Sequence, residues 1–112
     1  IMDTREYLID KLKKELTVAQ YERRGDWFLM HIDKILTKYP YLKVGALISV
    51  DIDGYFITQV KDLNINYSAV YGSGIVVETD YGNVLYYETE ELTEKELQKY
   101  LVERNKFINL VI

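Results

Sequence analysis

Val44–Val60 of the chain is VGALISVDIDGYFITQV. Two runs rich in β-branched and aromatic residues flank Asp53-Gly54. That dipeptide supplies the positive φ angles of a type I′ turn and is the strongest short-range hairpin signal. With a two-residue turn, Ile48, Val50 and Ile52 share a dry face with Tyr55 and Ile57. Leu47, Ser49, Asp51, Phe56, Thr58 and Val60 then form a half-polar face.

Downstream, IVVET and VLYYE around Asp80-Tyr81-Gly82-Asn83 predict a second hairpin, with Ile75, Val77, Val84 and Tyr86 inward. Between the hairpins Leu63, Ile65, Tyr67, Ala69 and Tyr71 alternate with Asn64, Asn66 and Ser68, so part of this segment suits a further edge strand.

Upstream, the period changes from two to 3.6. Asp3 and Glu6 form a capping box ahead of Leu8, Leu12, Leu16 and Ala19, which predicts a helix from Thr4 to Arg23. Phe28, Ile32, Ile35, Leu36 and Tyr39 repeat the period up to Pro40, predicting a second helix over Asp26 to Lys38. On one continuous rod the two stripes face opposite ways, so a break is expected at Gly25, with Asp26 as the next cap. At the other end, Thr93 and Glu96 make a capping box, with Leu92 and Leu97 at staple spacing, and start a helix running to Lys106. The apolar tail Ile108 to Ile112 is expected to dock or to pair as a strand.

The expected architecture is therefore one α+β domain over residues 1 to 112. Two N-terminal helices precede an antiparallel sheet of four to five strands built from two hairpins, and a C-terminal helix packs on it. A curled sheet closing toward a small barrel is the alternative.

Composition narrows the chemistry. With no Cys among 112 residues, disulfides, thiolate metal sites and a cysteine nucleophile are excluded, and a reducing, cytoplasmic setting is expected. No run is long and apolar enough to span a bilayer or to act as a signal core, so no membrane partner is expected. Ile1 is read as a cloning remnant ahead of a natural start at Met2. The net charge of −4 is uneven: residues 1–43 carry nine Lys/Arg and seven Asp/Glu, and residues 44–112 carry five and eleven. The acidic second half should repel a phosphate backbone, which argues against nucleic acid. Lys11, Lys13, Lys14, Arg23 and Arg24 give the first helix a basic side, yet Glu6, Asp10, Glu15 and Glu22 intersperse it.

No motif completes a catalytic or metal-binding pattern. His31 is the single His; Asp51 and Asp53 begin a calcium-loop pattern that Tyr55 and Phe56 break; Gly72-Ser73-Gly74 precedes a strand where a phosphate loop needs a helix. Neither a cofactor nor a metal is expected. The one excess is tyrosine, eleven against three Phe and one Trp. Tyr combines contact area with a polar tip, and with Asn, Ser and Gly it composes adaptable recognition loops. The expectation is a non-enzymatic interaction or accessory module that binds a protein through Asn64, Asn66, Tyr67, Tyr71 and Tyr81 and a sheet edge, with a homodimer compatible. The alternatives are a small carboxylate enzyme drawing on Asp51, Asp80 or Glu88 with His31, or an acidic protein that contacts or mimics nucleic acid.

Overall fold

A computed structural model describes residues 2–67 and 74–111, with side chains as far as residue 106. Helix α1 spans Thr4–Glu15, and the Asp3 carboxylate accepts from the Glu6 amide at 2.8 Å to start it. Helix α2 spans Val18–Lys38. The break between them falls at Leu16-Thr17, eight residues before the expected Gly25. Thr17 and Gln20 form a reciprocal capping box, with the Thr17 amide to Gln20 Oε1 at 2.9 Å and the Gln20 amide to Thr17 Oγ1 at 3.2 Å. Two satisfied donors outweigh the weak helix propensity of a single Gly. Gly25 stays helical and buried, with the Tyr21 ring 3.3 Å from where a Cβ would sit. Thr17→Ala should therefore cost about 1 kcal/mol in urea denaturation, with the corner between the helices loosened.

Each helix now turns its own stripe inward. Leu8 and Leu12 of α1 and Phe28, Ile32 and Ile35 of α2 are buried, as the opposed stripes required. They pack in one cluster with Leu42, Ile48, Val50, Val60, Leu63, Ile75 and Val77.

The strands are β1 Leu47–Asp51, β2 Tyr55–Gln59, β3 Asp62–Asn66, β4 Gly74–Thr79, β5 Gly82–Leu85 and β6 Thr89–Glu91. All described pairings are antiparallel, but they form two three-stranded sheets, β2-β1-β6 and β3-β4-β5, where a single sheet was expected. The chain itself passes between them. The Val60 amide still bonds Ala46 O at 2.8 Å in the first sheet, and the next amide, Lys61, bonds Glu78 O at 2.8 Å in the second. On the return, β5 ends at Leu85 and a 3-10 turn over Tyr86–Glu88 redirects the chain into β6. Glu88 Oε1 accepts from the Leu85 amide at 2.9 Å, which stops the expected strand short of Glu88.

The first hairpin also differs in register. Asp51 pairs with Tyr55 across a three-residue loop, Ile52-Asp53-Gly54, with positive φ at Asp53 (50°) and Gly54 (135°). One residue of slip turns every β2 side chain over. Thr58 and Val60 enter the core beside Ile48 and Val50, and Tyr55 faces solvent. This register buries an extra branched residue and leaves a phenol wet, which favours it over the two-residue turn. The second hairpin pairs Thr79 with Gly82 across Asp80-Tyr81, and Ile75, Val77 and Val84 face inward as expected. Segment 62–66 is the further edge strand, with Leu63 and Ile65 buried.

Helix α3 spans Glu94–Val111 from the expected Thr93–Glu96 box, with the Glu96 amide 3.1 Å from Thr93 Oγ1. The tail was expected to dock or to pair as a strand; through Val111 it continues the helix and forms no strand, since neither Gly nor Pro interrupts it between Glu94 and Val111. No residue of α3 up to Lys106 is buried, and Leu101 and Val102 are exposed. The molecule measures 56 × 29 × 22 Å, with a radius of gyration of 16.3 Å where about 13 Å is usual for a chain this size.

Candidate functional site

Strand β2 is one edge of its sheet, and its sequence, YFITQ, carries none of the charges or prolines that commonly guard an edge, while at its far end the Gln59 backbone is held by the Asp80 carboxylate. Beside it the β4–β5 turn is held rigidly. Asp80 pairs with Lys61 at 2.9 Å, and its amide donates to Thr58 Oγ1 at 3.3 Å. The Lys61 ammonium keeps the Asp80 carboxyl below the ordinary carboxylate range. Thr79 Oγ1 donates to Gly82 O at 2.7 Å and accepts from the Tyr81 amide at 3.1 Å. Gly82 takes φ 119°, which closes the turn without strain. The result places the Tyr81 ring edge-to-face on Phe56, with centroids 4.9 Å apart.

Between this assembly and the first turns of α3 runs a groove of about 500 Å³ lined by Tyr55, Phe56, Ile57, Tyr81 and Tyr100. Glu96, Lys99 and Glu103 of α3 complete the wall, leaving it with one excess negative charge. Tyr55 is 54% and Tyr81 73% exposed, so both rings are available to a ligand.

Of the five residues expected to form a binding surface, the four that are described are not brought together. Tyr81 is in this groove. Asn64 instead accepts from Lys11 Nζ at 2.8 Å against α1, and Asn66 ends β3. Tyr67 packs edge-to-face on the core residue Phe28 at 5.3 Å. Burial first, and then the Glu15 carboxylate as acceptor and charge, push its phenol pKa well up, and its hydroxyl is enclosed. Tyr71 lies outside the described residues. Local alternation did not distinguish Tyr55 and Tyr100 from the other tyrosines, because their exposure depends on the hairpin slip and on where α3 leaves the body.

The groups of the alternative readings are also separated. Asp51 is exposed at the end of β1, Asp80 is tied to Lys61, and Glu88 caps the 3-10 turn. His31 meets Trp27 edge-to-face with centroids 4.5 Å apart, and no carboxylate lines the groove beside it. Among the described residues no three His, Cys, Asp or Glu side chains cluster as metal ligands. On the basic helix, Lys11 is paired with Asp62 and Lys14 with Asp10, while Lys13 lies over the Tyr21 ring; Arg23 and Arg24 belong to α2. No described helix is long and apolar enough to cross a membrane.

Fold and groove together define a small α+β chain with a sheet edge beside an aromatic cleft. No family model, curated protein or solved structure matches the chain.

Proposed function

We propose that the chain is a protein-binding module that takes a short extended segment of its partner into the groove between β2 and α3. The observation that carries this reading is the coincidence of a sheet edge open over Tyr55–Ile57 with exposed tyrosines. The outer side of β2 offers backbone hydrogen bonds, and the cleft next to it offers Tyr55, Tyr81 and Tyr100 as contact surface. Strand addition draws affinity from the main chain and specificity from flanking side-chain pockets. An apolar or aromatic anchor suits the ring-lined floor. A basic residue beside it suits Glu96 and Glu103, which flank Lys99 on the α3 wall. No group in the cleft is poised for bond-breaking chemistry, which supports binding over catalysis.

Selection from a random peptide display library should enrich sequences with an aromatic or aliphatic anchor followed by Lys or Arg. The double substitution Tyr55→Ala/Tyr81→Ala should reduce their affinity at least about tenfold while leaving the melting temperature unchanged, since both side chains are exposed. Enrichment without a common pattern, or equal binding to the double variant, contradicts the proposal.

A further inference from the structure

The chain has a second, differently charged cleft. His31, Lys34 and Lys38 of α2 and Tyr39, Tyr86 and Tyr87 line a space of about 300 Å³. The three basic residues follow i, i+3, i+7 spacing and so share one side of the helix. None has an ion pair among the described residues, whereas Arg5, Lys11, Lys14 and Lys61 each meet a carboxylate. A chain with 18 Asp and Glu residues and a net charge of −4 thus leaves its one His and two lysines together with no acid lining the space between them. Lys34 and Lys38, four residues apart, repel one another, and a bound anion would offset that repulsion.

The opposite wall is a run of rings. Tyr39 meets Tyr86 edge-to-face at 5.3 Å, and Tyr86 meets Tyr87 at 5.4 Å. Lys38 Nζ sits 5.8 Å from the Tyr39 centroid, which brings a positive charge to the aromatic end of the cleft. Tyr87 is 60% exposed, so its ring is open to stacking. The volume falls at the small end of small-molecule sites, enough for one ring and a short charged group.

We propose that this cleft binds a small phosphate-bearing molecule with a flat ring, of the mononucleotide class. The phosphate is held by Lys34, Lys38 and His31, and the ring lies against Tyr86 and Tyr87. The cleft is separate from the peptide groove and shares no lining residue with it.

Trp27, the only Trp in the chain, meets His31 edge-to-face and serves as a built-in reporter. Titration with adenosine monophosphate at fixed ionic strength should change its fluorescence saturably, with inorganic pyrophosphate at least about tenfold weaker for want of a ring. Lys34→Gln/Lys38→Gln should weaken adenosine monophosphate by about a hundredfold, the effect of two charge-assisted contacts. Tyr87→Ala should bring the two probes to equal affinity. Both lysines and Tyr87 are exposed, so these variants keep the fold. A linear, unsaturable response, retained affinity in the double lysine variant, or pyrophosphate binding as tightly as adenosine monophosphate in the parent chain overturns the proposal.

Discussion

Phe28→Ala is expected to lower the unfolding free energy by about 3–5 kcal/mol, a large share of the roughly 5–15 kcal/mol typical of a domain. Phe28 is 2% exposed and sits where α2 meets the rest of the core. Its ring is met edge-to-face by Trp27 at 5.1 Å and by Tyr67 at 5.3 Å, and the Arg24 guanidinium lies 5.7 Å from its centroid. Truncation leaves a cavity and removes all three contacts. Phe28→Leu retains most of the apolar volume and gives up only the ring geometry, so it should cost about 1–2 kcal/mol. Urea denaturation of the two variants separates the terms, and equal losses would show that the aromatic contacts, and not the filled volume, dominate.

The second large effect is expected at Lys11, which joins α1 to β3. Its ammonium donates to Asp62 Oδ1 and Oδ2 at 2.8 Å each, to Leu63 O at 2.9 Å and to Asn64 Oδ1 at 2.8 Å. The Tyr7 hydroxyl donates to the same carboxylate. Lys11→Met strands those acceptors, and the expected loss is about 2–3 kcal/mol. That is less than for a fully enclosed pair, because the Lys11 and Asp62 side chains are 21% and 31% exposed. Lys11→Met/Asp62→Leu should recover part of it, since an apolar pair carries no stranded charge.

The same cluster sets a pH profile. Burial works to raise the Asp62 pKa, but hydrogen bonds from Lys11, Tyr7 and the Leu63 amide outweigh it, and the net shift is downward. A carboxyl depressed on folding stabilises above its unfolded value, about 3.9, and that contribution fades as pH falls through the folded value. Lys11 moves upward: burial opposes the charge, but Asp62 and Tyr7 outweigh it. Tyr7 is also raised, first by its hydrogen bond to Asp62 and then by burial. Groups raised on folding stabilise below their unfolded values, about 10, and lose that contribution as pH climbs through the folded ones. The stability difference between the parent chain and Lys11→Met should accordingly be level from about pH 5 to 9 and shrink toward both extremes.

Much of the architecture was legible because it rests on local chemistry. Asp3 with Glu6 and Thr93 with Glu96 mark two helix starts, and the structure uses both. The strand segments, the two hairpins and the further strand at Asp62–Asn66 follow from period-two alternation. What escaped depends on competition between local signals or on distant contacts. Thr17 and Gln20 also form a capping box, but they sit inside a helical pattern where Gly25 looks the more obvious breaker. Asp53-Gly54 marks the right turn and leaves its length open. The burial of Thr58 and Val60 selects the longer loop, and that burial involves the helices. The division into two sheets turns on adjacent residues, Val60 and Lys61, which alternation cannot tell apart.

The site was less legible for the same reason. Tyr67 and Tyr81 both belong to the tyrosine excess. One has its hydroxyl enclosed beside Phe28 and the other is 73% exposed, and no neighbour in sequence distinguishes them. Asn64 reads as a recognition residue until Lys11, 53 positions earlier, takes its side chain. The groove joins β2 to α3 across almost half the chain, so only the tertiary structure assembles it.

Amide hydrogen exchange across Tyr55–Gln59, with and without a library-selected peptide, tests strand addition most directly. Strand addition predicts rapid exchange at the outward amides of Tyr55 and Ile57 in the free chain and strong slowing when the peptide binds, together with smaller protection in the first turns of α3; the Gln59 amide, held by Asp80, is the internal reference. Tight binding that leaves β2 exchange unchanged and protects another surface would contradict it.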